Sequence, residues 1–304
     1  MITFDFSHYY SKSWYPGHMI KASRQIKEKL KLVDLALILL DARIPASSIN
    51  KELEETLGEK ARVLVMNKTD LANEKVTQEF VDHFAEQGVA SVYTNAVKKK
   101  GLNKILPTVR EAIKKDRARR GATRPLLRPY RLLIMGVPNV GKSSLINALA
   151  SKNRAKTGRT PGVTQHQQWV KLANDIELLD TPGIMVPGSL NKERVLKLGL
   201  CHIIKQQLLG TTFLCEYLLY QLIRNNKLNA LSFYKIEEPE TEINKLLEQI
   251  AIARGCLKPG GDPDIDQASL IMLKDYSDGK LGRLVLDEVT PQPLPEGLEI
   301  IWEK

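Results

Sequence analysis

The chain has 304 residues, which at about 150 residues per domain points to two domains. A hydrophobic fraction of 43% and a charged fraction of 26% exclude a wholly disordered chain and leave apolar surface for two cores. The net charge of +10 suits a polyanionic partner such as nucleic acid.

Cys201, Cys215 and Cys256 lie far apart with no C-x-x-C pair. That excludes a disulfide scaffold and a four-cysteine zinc module, and they read as buried small hydrophobes in a reducing compartment. The N-terminus lacks a basic start followed by an apolar run, so no secretory signal is expected. The apolar run at residues 35–40 is too short to cross a bilayer. Residues 208–223 carry Glu216 and Gln221 and read as a core helix. No membrane partner is expected, and the cytoplasm, or an equivalent organellar compartment, is the expected location.

In chain order, residues 17–31 read as a helix, with Ile20, Ala22, Ile26 and Leu30 among many lysines. Residues 33–41 and 61–66 are near-continuous apolar runs ending in polar residues, the pattern of buried parallel strands. Residues 76–87 are helical in period, with Val76, Phe80, Val81 and Phe84 on one side. A short strand at 89–93 and an amphipathic helix at 102–115 follow. Residues 114–131, dense in Lys and Arg and holding Pro125 and Pro129, read as a linker. Then come a strand at 132–135, a helix from 143 to 150, and strands at 168–172 and 176–179. Alternating strands and helices argue for a mainly parallel sheet covered on both faces. From about residue 191 the spacing turns helical, as in Ile243, Leu246, Leu247 and Ile250. Only residues 284–286 suggest a strand there. The second domain, 191–304, is expected to be all-α.

Gly136, Gly141, Lys142 and Ser143 fit G-x-x-x-x-G-K-[ST] between a strand and a helix. Such a loop closes its backbone N–H groups around phosphate oxygens. Lys142 reaches the β- and γ-phosphates, and the Ser143 hydroxyl binds Mg²⁺. Pro138, Asn139, Val140 and Ser144 complete the expected phosphate loop. Asp180, Thr181, Pro182 and Gly183 follow another apolar strand. A carboxylate at Asp180 holds Mg²⁺ through water, and the Gly183 N–H contacts the γ-phosphate. Asn67, Lys68, Thr69 and Asp70 end a third strand. Asp70 would accept hydrogen bonds from guanine N1–H and the 2-amino group, a donor pair that adenine lacks. Ligands in such sheets bind at the carboxyl ends of the strands, where all three motifs fall.

Ordinary GTPases place the phosphate loop first and Asn-Lys-x-Asp last. Here Asn67–Asp70 comes first, so the chain resembles a circularly permuted GTPase. Within that class, Trp14 to Met19, Asp41 to Pro45, Asn67 to Asp70, Gly136 to Ser144, Pro161 to Thr164 and Asp180 to Gly183 resemble the YlqF/RbgA family, ribosome biogenesis GTPase A. The resemblance covers about residues 14–200. It continues more weakly through Ala253-Arg254-Gly255 and residues 279–283. It implies a permuted P-loop GTPase domain at 1–190, with an N-terminal segment 1–32 bearing a histidine and a basic linker at about 114–131. A C-terminal helical domain at 191–304 would then contact rRNA of the large ribosomal subunit and nearby ribosomal proteins.

The family pattern makes Thr164 the switch threonine that closes over Mg²⁺ and the γ-phosphate, with Thr160 a nearby alternative. It makes Asn139 the ligand of K⁺. It places the guanine-contacting loop at Thr94, Asn95, Ala96 and Val97. There Asn95 departs from the pattern, and the Ala96 N–H remains available for guanine O6. GTP and GDP, Mg²⁺ and K⁺ are the expected ligands. Ile184 stands where many GTPases carry a water-orienting Gln. The family suggests His18 instead, and the permutation brings residues 1–32 beside the second switch. Lys142, Thr164, Gly183 and His18 are therefore the expected catalytic set. Arg254, Lys258, Lys274, Lys280 and Arg283 are candidate RNA contacts, with Tyr276 as a stacking partner. For each, a solvated helix face is the alternative. The protein is expected to be monomeric off the ribosome. A nucleotide-binding switch without turnover and a small-molecule P-loop phosphotransferase are the competing functions.

Overall fold

The apolar runs of the sequence become strands because each is buried on both faces, which a parallel sheet flanked by helices requires. The structure, a computed structural model, describes residues 2–7, 27–49, 51–122, 124–154, 169–179, 191–240, 242–296 and 298–302; for 51–53 and 151–154 it describes the backbone. The chain divides into two units, Tyr15–Ser189 and Met1–Trp14 with Leu190–Lys304.

The first unit holds strands β2 (Leu35–Asp41), β3 (Arg62–Asn67), β4 (Ala90–Tyr93), β5 (Tyr130–Gly136), β6 (Trp169–Ala173) and β7 (Ile176–Leu179). β1, Ile2–Asp5, belongs to the other unit. The sheet order is β4-β3-β2-β5-β7-β6. All neighbours are parallel except the β6–β7 hairpin. The chain enters at the central strand β2, runs outward through β3 to β4, and returns to β5 on the other side of β2. Helices α1 (Lys51–Leu57), α2 (Glu74–Glu86), α3 (Leu102–Arg119) and α4 (Lys142–Arg154) accompany the strands, and residues 27–30 are helical. The register pairs Asp41 with Asn67, so β2 and β3 end level, and Gly136 with Leu39, so β5 ends two residues earlier at the same edge of the sheet.

The expected linker at 114–131 is only partly one. Its first turns to Arg119 continue α3, whose buried stripe is Leu102, Ile105, Val109 and Ile113. Its cations are tied locally: Arg128 pairs with Asp34 at 2.7 Å, Arg120 with Asp116 at 3.0 Å, and Arg119 with both Glu59 and Asp116. The run therefore fastens the helix end and the entry to β5.

The second unit contains α5 (Lys192–Leu200), α6 (Thr211–Arg224), α7 (Ile243–Ala253) and α8 (Ile265–Ser277), with short 3-10 turns at Gln206–Leu208 and Leu228–Tyr234. α8 packs on both α6 and α7. α6 is the core helix, with Leu214, Cys215 and Tyr217 through Leu222 buried. The three cysteines are buried and form no disulfide among the described residues. Among the described residues no helix is long and apolar enough to cross a membrane.

The unit is mainly helical but not all-α. β1 pairs in parallel with β8 (Leu298–Ile301), whereas residues 284–286 form no strand. Residues 2–7 thus fold with the C-terminal unit, not with the unit that holds the six-stranded sheet. Their reason is aromatic. Phe6 is 1% exposed, with ring centroids of Trp302, Phe213 and Tyr217 at 5.1, 5.3 and 5.6 Å, and Phe4 meets Tyr220 at 5.1 Å. Behind them Lys197 bridges Glu193 and Asp287, each at 3.1 Å, and Arg224 pairs with Glu288 at 3.0 Å.

Truncating a buried Phe costs about 3–5 kcal/mol. Phe6→Ala is therefore expected to lower the urea midpoint by that much stability. An unchanged midpoint would mean that the N-terminal strand is not part of this core.

Candidate functional site: a phosphate loop and a base loop joined through one asparagine

β5 ends at Gly136, and the chain turns through Val137 to Val140 into α4. Gly136 has φ +150°, and a Cβ there would lie 2.4 Å from the Leu39 carbonyl oxygen of β2. Only glycine lets the loop start this close to its neighbour. Asn139 stands at φ +58°, a left-handed conformation that Asn tolerates better than most residues. Val140 is fully buried, Gly141 and Lys142 are half-buried, and Ser143 and Ser144 are exposed at the start of α4.

The Lys142 ammonium donates to the carbonyls of Gly136 and Val137, both at 2.7 Å, which curls the loop around its own lysine. Burial disfavours the charge and brings the Lys142 pKa down to about 8. An ammonium so placed gains strongly from a phosphate oxygen.

β3 ends at Asn67, which is 3% exposed. Its Nδ2 donates to the Val140 carbonyl of the phosphate loop at 2.9 Å, and its Oδ1 accepts from the Ala96 N–H at 3.0 Å. A Cβ on Gly141 would lie 2.3 Å from the same Nδ2. The next residue, Lys68, has φ +64°. Its ammonium meets Asp41 at 2.9 Å, and Arg43 grips the same carboxylate through Nε at 3.0 Å and Nη2 at 2.9 Å. Asp41 is wholly buried. Burial alone would raise its pKa, but Arg43 and then Lys68 outweigh that and bring it to about 2. The Asp41–Pro45 segment thus fixes Lys68 from below.

After β4 the base loop closes on itself. Asn95 and Lys100 exchange backbone hydrogen bonds at 3.0 Å, and the Thr94 hydroxyl donates to the Lys100 carbonyl at 2.6 Å. The Asn95 side chain accepts from the Lys98 N–H at 2.8 Å, so it serves the loop rather than facing out. The Ala96 N–H, the expected donor to guanine O6, is committed to the Asn67 side chain. The exposed Val97 has no backbone N–H partner among the described residues, and the Lys98 ammonium lies 3.3 Å from the Asp70 carboxylate. The pattern Ala96-Val97-Lys98 could have been aligned this way from the sequence, but the hydrogen bond that decides it could not.

Asn67, Lys68, Asp70, the Asn95–Lys98 turn and Pro138–Ser144 are thus brought to one edge of the sheet. The glycines at 136 and 141, the convergent Lys142 and the loop of Asn67 fit a nucleotide whose phosphates sit at α4 and whose base sits at Asp70. His18, Thr160, Thr164, Asp180, Gly183 and Ile184 lie outside the described residues. Among the described residues no His, Cys, Asp or Glu group of three could hold a metal ion.

In the second unit, Lys258, Lys274 and Arg283 are exposed. Arg254 and Lys280 converge on the buried Asp275, at 3.6 and 2.8 Å. Tyr276, expected to stack on bases, is 2% exposed and belongs to the core of α8.

A family model described as 50S ribosome-binding GTPase matches residues 131–251. Ribosome biogenesis GTPase A of Bacillus licheniformis is 41% identical over 277 residues, covering 90% of this chain and 97% of that protein. Mitochondrial ribosome-associated GTPase 1 of Mus musculus is 34% identical over 294 residues, covering 90% and 89%. Among solved structures, GNP-bound YlqF from T. maritima matches with a TM-score of 0.62 at 27% identity, over 90% of this chain and 100% of that one.

Two outcomes follow from the geometry. Gly141→Ala drives a methyl group into the Asn67 amide and is expected to weaken guanine-nucleotide binding at least about tenfold by titration. Phosphate favours the Lys142 ammonium, so binding above pH 8 must draw a proton onto it. Nucleotide affinity should be flat below about pH 8 and fall by up to about tenfold per pH unit above it, with proton uptake in calorimetry. A flat profile to pH 10 would contradict the buried amine.

Proposed function

We propose, since this chain belongs to the ribosome biogenesis GTPase A family, that it hydrolyses GTP as an assembly factor for the large ribosomal subunit. The observation that carries the GTPase part is the Asn67 side chain, which joins the phosphate loop to the base loop at 2.9 and 3.0 Å. A general phosphotransferase needs the first loop but not the second. The ribosomal part draws on the relatives' names and on the exposed cations of the C-terminal unit, which suit rRNA.

Guanine selection falls to Asp70, which accepts from N1–H and the 2-amino group, and to the Val97 N–H, which donates to O6. Lys68 covers the base from one side. The Lys142 ammonium transfers from the Gly136 and Val137 carbonyls to the β- and γ-phosphate oxygens, where negative charge grows in the transition state. Ser143 from α4, together with Thr164 and Asp180, would hold Mg²⁺, and Asn139 would hold K⁺. When bound, these ions supply charge neutralisation of the phosphates. Ile184 has no group to orient water, and His18 takes that role. Water attacks the γ-phosphorus as the bond to the bridging oxygen of GDP breaks, and phosphoryl transfer of this kind is governed by position and charge. The segment after Gly183 leads into the helical unit, so the γ-phosphate contact at Gly183 couples nucleotide state to subunit association. The protein works as a monomer off the ribosome.

GTP turnover should be slow alone, stimulated by large but not small ribosomal subunits, and faster in K⁺ than in Na⁺. His18→Ala should remove the stimulated turnover and leave nucleotide affinity intact. Absence of stimulation by either subunit would overturn the assembly-factor reading, and full turnover in the His18 variant would remove that residue from catalysis.

A further inference from the structure

In the 3-10 turn Leu228–Tyr234, Leu231 and Tyr234 are buried while Phe233 is 43% exposed. The Phe233 ring meets Tyr234 edge to face at 5.2 Å. The Arg254 guanidinium lies 6.0 Å from the Phe233 centroid and 5.5 Å from that of Tyr234. An exposed aromatic ring is thus held in place by a buried neighbour and a cation.

Beside it runs a groove of about 490 Å³ between this turn and the 280–284 segment that follows α8. Phe233, Asn229 and Ser232 line it together with Lys227, Lys280 and Arg283, and no carboxylate does. Lys280 is preset by Asp275 at 2.8 Å. Lys227 and Arg283 have no ion-pair partner among the described residues.

We infer that this groove takes one unpaired nucleotide of RNA, its base stacked on Phe233 and its flanking phosphates against Lys227, Lys280 and Arg283; the inference rests on the RNA-binding reading above. The volume lies within the roughly 300–1,000 Å³ of small-ligand sites and is too confined for a duplex. A-form duplex offers phosphates but keeps its base faces stacked, so it would leave Phe233 in water. An acidic peptide would likewise use the cations and not the ring. An unstacked base covers the ring with its π-face, and its edge meets the amide of Asn229 and the hydroxyl of Ser232. Base–aromatic stacking of this kind tolerates any base, so the site anchors an exposed loop nucleotide rather than reading a sequence. Arg254, a candidate RNA contact, then acts as a positioning residue for the ring.

The test is fluorescence anisotropy with the full chain, using a short labelled oligoadenylate, a blunt RNA duplex of the same length and a polyglutamate peptide. Phe233→Leu keeps apolar bulk and should cost about tenfold in oligoadenylate affinity, with no change for the duplex. Phe233→Trp should restore it. Arg283→Gln should reduce the salt slope by about 0.7, one phosphate contact on a single strand. Equal oligoadenylate affinity in wild type and Phe233→Leu would overturn the groove while leaving RNA binding elsewhere intact. Peptide binding as tight as oligoadenylate binding would overturn it in favour of a protein partner. No RNA binding by the wild type would overturn both the groove and the RNA reading, while subunit-stimulated turnover would still stand on its own.

Discussion

The two atoms at the end of one buried amide hold the nucleotide site together. Asn67 donates to the phosphate loop and accepts from the base loop, and these loops come from β5 and β4, strands that do not touch each other in the sheet. The amide is buried, so leaving either bond unmade would cost its desolvation in full. Moving either loop would break a hydrogen bond between groups that are at most 3% exposed. The spacing between the two loops is therefore set by the protein itself, which lowers the ordering cost of binding a ligand that spans both. The tightness has a sequence cost: Gly141 faces the amide with no room for a Cβ.

Charge is used in two different ways in this molecule. Below the base site, Asp41 is buried with Arg43 and Lys68, a cluster in which breaking one partner would strand the others. It fixes a lysine in a left-handed conformation, the kind of strain that a functional site retains and the surrounding structure supports. At the end of α3 and in the segment leading to β5, Arg119, Arg120 and Arg128 are engaged with nearby carboxylates. The densest basic run in the chain is thus structural in good part. The net charge of +10 is therefore no direct count of the cations left for a partner.

The N-terminal strand changes how the chain is organised. Because Phe4 and Phe6 are buried against α6 and beside Trp302, residues 2–7 fold with the C-terminal unit, and Tyr15–Ser189 is inserted between them in sequence. Permutation thus does more than reorder motifs. Both the entry to and the exit from the nucleotide-binding unit lead to the same C-terminal unit.

The sequence by itself determined the strands β2, β3 and β5, the phosphate loop, the Asn67–Asp70 motif and the helical texture after residue 191. These are local: an apolar run buried on both faces, a glycine spacing and a 3.6-residue period each announce themselves within a short window. Tertiary structure alone decided the rest. The β1–β8 pair joins residues 296 apart; Ile2, Phe4 and Phe6 alternate with polar residues and mark a half-buried strand, but nothing local names its partner. The Ala96 N–H, the expected donor to the base, is claimed by Asn67, which lies 29 residues away in sequence. Tyr276 and Phe233 look alike as aromatic residues among cations, yet one is 2% and the other 43% exposed. Which face of a short turn meets water depends on what packs behind it, and that is a property of the assembled core rather than of the chain.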